Sequence, residues 1–153
     1  MPINVLELHH HGIRIGTSPD DVKEAKSFYT DLLGLDADPA RPEIPGIPGF
    51  WVYVGQGDQT AQIHLMGATG QSPAARDHER DPTLPHVALA VEDINAARAT
   101  LEAEGIWHWT VNGLVGENSD QVFMKDPFGN IIELHQVGTC TCNRIVLKQQ
   151  STN

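Results

Sequence analysis

"HHGIRI" at residues 10–15 and "HVALAV" at residues 86–91 decide how this chain is organised. Both read histidine, any residue, a small residue, an aliphatic, any residue, an aliphatic. Each leads into an acidic helix start and an amphipathic segment: "DDVKEAKSFYTDLLGL" (20–35) in the first case, "EDINAARATLEAEGI" (92–106) in the second. Val22, Ala25, Tyr29 and Leu32 fall near helical spacing, as do Ile94, Ala97 and Leu101. Asp20 or Asp21, and Asp93, can accept from the orphan amides that open a helix. Gly34-Leu35 and Gly105-Ile106 supply the glycine stop followed by an aliphatic residue.

Each half then turns strand-like. The first gives "FWVYVG", a turn at "GQGD" and "TAQIHLMG"; the second gives "WHWTV", a loop at "NGLVGENSD", "QVFMKD", a turn at "DPFGN" and "IIELHQ". Aromatic and β-branched runs bounded by Gly, Asp, Asn and Pro read as hairpins. "QIHLM" around His64 corresponds to "IIELH" around Glu133. The expectation is an α+β fold of two βαβββ modules, about residues 6–67 and 84–138, in one domain over 6–138 with a polar tail at 139–153. Proline-rich 36–50 and polar 67–85 serve as loops over the edge and between the halves.

Strand alternation assigns faces to these residues. Val87, Leu89 and Val91 form a helix-packing face, so His86, Ala88 and Ala90 share the other. Ile13 and Ile15 pack on the first helix, which turns His10, Gly12 and Arg14 inward and sends His9 and His11 to the opposite side. In the last strands, Ile63 and Leu65 leave His64 facing in, and Ile132 and Leu134 leave Glu133 facing in with His135. His10, His64, His86 and Glu133 are therefore repeat-equivalent inward positions that converge if the halves are related by a pseudo-twofold axis. Three imidazoles and a carboxylate are costly to bury unpartnered. One divalent ion (Zn, Ni, Co, Fe or Mn) resolves that cost, because it takes neutral imidazole and ionised carboxylate as donors. Arg14, on the same face, is a candidate for an anionic group of a substrate. Trp107, His108, Trp109 and His135 can line or support the cavity. His9, His11 and His78 read as solvated or structural.

Bulk properties bound the partners. In 153 residues, 40% are hydrophobic and 20% charged, the balance of a soluble domain. A net charge of -10 with scattered Lys and Arg argues against nucleic acid and anionic membrane surfaces. No apolar run approaches the roughly 20 residues of a membrane span, and no secretory leader is visible, so a cytoplasmic location is expected. Cys140 and Cys142 are too close to close a disulfide well and read as reduced thiols.

"HHGIRIG" leading to "AKSFYTDLLGL", then "HVALAVEDI", then "FMKDPFGNIIEL" resemble the vicinal oxygen chelate superfamily, over about residues 6–138. That superfamily includes glyoxalase, methylmalonyl-CoA epimerase, extradiol dioxygenases and fosfomycin resistance proteins. The resemblance implies a glyoxalase-like cup of strands around a metal, with ligands at His10, His64, His86 and Glu133, and a homodimer acting on a small molecule. Where His64 stands, glyoxalase and the epimerase usually carry Glu or Gln, which leaves Glu133 as the catalytic proton shuttle. The implied activity is a metal-dependent isomerase or lyase that stabilises an enolate-like intermediate of a substrate chelated through adjacent oxygens. Two alternatives stand beside it. One is an extradiol-type dioxygenase with Fe(II) on His10, His86 and Glu133. The other is a small-molecule resistance or binding protein.

Overall fold

A computed structural model describes residues 1–55, 61–117 and 119–139. The turn "GQGD" in part, Asn118, Cys140, Cys142 and the tail beyond Thr139 lie outside the described residues. The chain runs β1 (Val5–Ile15), α1 (Pro19–Lys26), a π-helical turn (Ser27–Leu32), β2 (Gly49–Val54), β3 (Ala61–Gly67), β4 (His86–Val91), α2 (Ile94–Ala103), β5 (His108–Asn112), β6 (Asp120–Lys125) and β7 (Ile131–Gln136).

Among the described residues, seven strands form one mixed sheet in the order β2-β3-β1-β4-β7-β6-β5. Each module pairs its first and last strands in parallel, β1 with β3 and β4 with β7, and the modules join through antiparallel β1 and β4. The pairing repeats: Gly12 faces His64 across β1 and β3 just as Ala88 faces Glu133 across β4 and β7. The pseudo-twofold relation read from the sequence is thus the register of the sheet.

Among the described residues, the first module carries one strand fewer than a strict βαβββ count. Its missing strand survives as a bridge between Ala37 and Val52 and as the hydrogen bonds Asp38 N–Trp51 O and Tyr53 N–Asp36 O, both 2.9 Å. Pro39, Pro42, Pro45 and Pro48 follow immediately, and proline cannot donate to a ladder. Residues 39–48 therefore run as a loop, and the expected 36–50 loop is shortened by the Ala37 bridge at one end and by β2, which starts at Gly49, at the other.

Both helices cover the same face of the sheet. Val22, Ala25, Tyr29 and Leu35 pack with Ile13, Ile15 and Ile63 on buried Phe50, Val52 and Leu65, while Ile94, Ala97 and Leu101 pack on Val91, Val122 and Leu134. Asp93 caps α2 as expected, accepting from Asn95 N (2.9 Å) and Ala96 N (3.0 Å). The cap of α1 is Ser18 instead of Asp20 or Asp21. Its hydroxyl accepts from Asp21 N (3.1 Å), and the Asp21 carboxylate accepts from Ser18 N (3.0 Å), a reciprocal capping box with Pro19 at the first helical position. From Ser27 the backbone widens to π spacing, so Leu32 swings out to 71% exposure and Leu35 takes the packing position. Among the described residues no helix is long and apolar enough to cross a membrane.

Candidate metal centre

The face away from the helices carries the polar residues. Trp51 (β2), His64 and Met66 (β3), His10 (β1), His86 (β4), Glu133 (β7) and Gln121 (β6) line one cavity, so the sheet must curl to bring six strands around it. All of these lining residues come from one chain.

His10 Nε2, His86 Nε2 and Glu133 Oε2 meet at its floor. The separations are 3.1 Å between the two imidazole nitrogens, 3.0 Å from His86 to Glu133 and 3.4 Å from His10 to Glu133. Gly12 makes the convergence possible: a Cβ there would lie 2.4 Å from Cε1 of His86, so the His86 ring rests on bare backbone.

Each of the three is held from behind. His86 Nδ1 donates to Leu84 O at 2.7 Å, which puts the lone pair of the neutral ring on Nε2. Gln121 Nε2 donates to Glu133 Oε1 at 2.9 Å, while Glu133 Oε2 is buried facing the two imidazole nitrogens. His10 Nδ1 lies 2.9 Å from His9 Nδ1. Three buried donors thus aim their outer atoms at one point and have their inner atoms spoken for. Edges of 3.0–3.4 Å suit three N and O donors around one divalent ion at about 2.0–2.2 Å. The residues fit a metal.

Burial lowers the His10 pKa to about 4, with Glu133 opposing. For His86, burial also acts downward, but the hydrogen bond and charge of Glu133 and the Leu84 carbonyl outweigh it and its pKa is raised. Burial pushes Glu133 up, yet His10 and His86 hold it well below the usual carboxylate range. The carboxylate is ionised and His10 is neutral, the states a cation requires.

His64 takes its repeat-equivalent place but not the same role. Its ring is stacked between His10 (3.7 Å, 15°) and Trp51 (4.0 Å, 7°), and its Nε2 bonds to Gln62 Oε1 at 2.9 Å. Gln62 in turn donates to Asp38 at 2.8 Å. The structure therefore brings His64 beside the other three without adding its Nε2 to their cluster. Burial, followed by the charge of His10, keeps its pKa well below the ordinary histidine value.

Arg14 is engaged elsewhere. Its guanidinium donates to Asp81 Oδ2 (3.1 Å), Thr83 Oγ1 (2.8 Å) and Thr83 O (3.2 Å), binding the linker between the modules to β1. Trp109 stacks on Phe123, which meets His86 edge-on; Trp107 lies half exposed under Lys125, and His108 bonds back to Ile106 O.

His9 departs from strand alternation. Between Leu8 and His10 the pairing with β4 advances one residue while β1 advances two, a β-bulge. The bulge breaks the two-residue period, so His9 is fully buried against His10 and His135 instead of lying with exposed His11. Gln62, Asp38 and Gln121 also belong to the site; of these, Gln62 is marked by strand alternation, being two residues from His64 on the same strand.

The mouth of the cup is apolar. Ile44 and Ile47 from loop 39–48, Leu114 and Val115 from the β5–β6 loop, and Met66 close over the floor, with Pro82 and Thr83 of the linker. They leave a cavity of about 20 Å³, room for an ion or one water.

Residues 8–134 match the model of the Glyoxalase/Bleomycin resistance protein/Dioxygenase superfamily, and the chain belongs to that superfamily. A probable lactoylglutathione lyase of Vibrio cholerae is 30% identical over 130 residues, covering 83% of this chain and 88% of its own. The mitochondrial methylmalonyl-CoA epimerase of Mus musculus is 25% identical over 126 residues, 80% of this chain and 70% of its own. Among solved structures, the Streptomyces coelicolor methylmalonyl-CoA epimerase in complex with 2-nitronate-propionyl-CoA superposes with a TM-score of 0.64 at 17% identity, covering 89% of this chain and 97% of its own. The 2,3-dioxygenase LapB of Pseudomonas sp. KL28 gives 0.63 at 18%, covering 92% of this chain and 44% of its own. The relatives by sequence are named as enzymes, and the two structures share the fold.

Proposed function

We propose that this chain is a metal-dependent isomerase or lyase acting on a small molecule that presents two adjacent oxygens. The observation that carries the reading is the trio of His10, His86 and Glu133, whose inner atoms are held by His9, Leu84 O and Gln121 while their outer atoms face one another. A divalent ion bound there supplies Lewis acidity toward negative charge developing on the substrate oxygens. Glu133 is the carboxylate in reach of a proton on the adjacent carbon, and Gln121 keeps its other oxygen from turning away. His64, neutral and fixed against Trp51, forms the adjoining wall of the cup. The ring of Ile44, Ile47, Met66, Leu114 and Val115 excludes water and favours a substrate whose remainder is apolar. Arg14 contributes indirectly, by holding the linker beside that ring.

The donor set supports a second reading. Two histidines and one carboxylate, with His64 beside them and not among them, is the facial pattern of ferrous dioxygenases. One experiment separates the two. The untagged chain is loaded anaerobically with Fe(II), Zn, Ni, Co or Mn, and oxygen uptake with catechols is compared with proton exchange at carbons flanking 1,2-dicarbonyl probes. Exchange without oxygen uptake, lost in Glu133→Gln, is the expected result; oxygen uptake confined to the Fe(II) form overturns the first reading in favour of the second.

A further inference from the structure

We propose that His9 is a positioning residue for His10, holding it in the tautomer that presents Nε2 to the metal. The inference rests on the metal reading above and concerns a residue that strand alternation sends to the wrong side of the sheet. The bulge at Leu8–His10 interrupts the ladder in the strand that carries a ligand, and its effect is to put two consecutive imidazoles on the cup side. His9 is fully buried there, its ring stacked on His135 at 4.5 Å and 19°. His135 is fixed in turn, since Thr139 Oγ1 donates to Gln136 O at 2.9 Å and accepts from His135 Nδ1 at 3.0 Å.

Two ring nitrogens 2.9 Å apart share one hydrogen. If His9 donates it, the hydrogen of neutral His10 is left on Nε2 and blocks the only nitrogen that faces His86 and Glu133. If His10 donates it, Nε2 is free to coordinate, and the hydrogen of His9 sits on its own Nε2. Metal-bound imidazoles generally have the other ring N–H held by an oxygen acceptor, as Leu84 O holds His86. For His10 that acceptor is a second imidazole, which fixes ring orientation without adding negative charge beside the ion.

Two variants separate this role from simple core filling. His9→Phe keeps a ring against His135 and removes the acceptor, whereas His9→Asn keeps a side-chain acceptor and removes the ring. The readouts are the Co(II) affinity of the full chain, by competition with a chelator, and the visible spectrum of the Co(II)-loaded protein. His9→Phe is expected to bind Co(II) about 10- to 100-fold more weakly with an altered spectrum, and His9→Asn to recover most of the loss. Wild-type affinity and spectrum in His9→Phe overturn the proposal, provided His10→Ala abolishes binding. If His10→Ala binds as wild type does, the metal reading itself has failed. A ¹⁵N–¹H ring correlation on the Zn-loaded wild-type chain decides the matter even if His9→Phe does not fold. Hydrogen on Nδ1 of His10 and Nε2 of His9 is expected, and hydrogen on Nδ1 of His9 overturns the assignment.

Discussion

Burial strips His10, His86 and Glu133 of water, and the three then settle one proton among them. With His10 lowered to about 4 and Glu133 well below its usual range, that proton lies on His86, whose pKa the carboxylate raises above 6.5. Any cation entering the trio must displace it. Metal affinity should therefore rise about tenfold per pH unit up to the raised pKa of His86 and level off above it, with one proton released per ion. Calorimetry in buffers of different ionisation enthalpy measures that proton directly; release of none across the range contradicts the assignment. In the metal-free chain the same group has the opposite consequence. Its raised pKa contributes stability that is fully present below about 6.5 and is lost as pH rises through the folded value. Much of this centre was legible in the sequence, because the repeat and strand parity are properties of residue spacing and both selected His10, His86 and Glu133. His9 was not legible. Its orientation depends on a bulge defined against β4, some 80 residues further along, and no local spacing encodes that pairing.

Between elements, the connections matter more than the helices. Asp81 gathers Ser72 N and Oγ (both 2.7 Å), Thr83 N (2.9 Å), Thr83 Oγ1 (2.8 Å) and the Arg14 guanidinium (3.1 Å), so a single buried carboxylate fastens the inter-module linker to β1. Burial raises its pKa, but the Ser72 and Thr83 hydrogen bonds outweigh that and hold it below 3.8. Asp81→Asn keeps the shape and removes the charge, and it should cost about 1–3 kcal/mol near neutral pH. A depressed folded pKa gives stability that is present above 3.8 and lost as pH falls through the lower folded value. The Tm difference between wild type and variant should hold steady above about pH 5 and shrink in acid; a difference that grows in acid contradicts this role. The linker is legible as a loop from its polar, proline-marked composition, whereas its tie to β1 is not, because no local spacing pairs Arg14 with Asp81 and Thr83. The first helix shows the same limit. Its glycine stop was legible, whereas its cap falls on Ser18 instead of Asp20 or Asp21, and the shift to π spacing at Ser27 leaves Leu32, placed inward by helical periodicity, in solvent.

For the molecule as a whole, the consequence of one continuous sheet is that a single chain brings the three candidate donors together. His10 comes from β1, His86 from β4 and Glu133 from β7, three adjacent strands of one sheet. The lid is built the same way, from loop 39–48, the linker and the β5–β6 loop. A centre shared between two chains would lose its ion when the chains separate, since at least one donor would leave with the partner. Here dissociation removes none of the three. Metal binding should therefore saturate at one ion per chain, with an affinity independent of chain concentration across any range in which the oligomeric state changes. Chelator competition carried out alongside analytical ultracentrifugation tests this. An affinity that falls as the protein is diluted from dimer to monomer would mean that the partner contributes a donor or holds the lid closed, and the cup would then have to be described as an assembly of two chains.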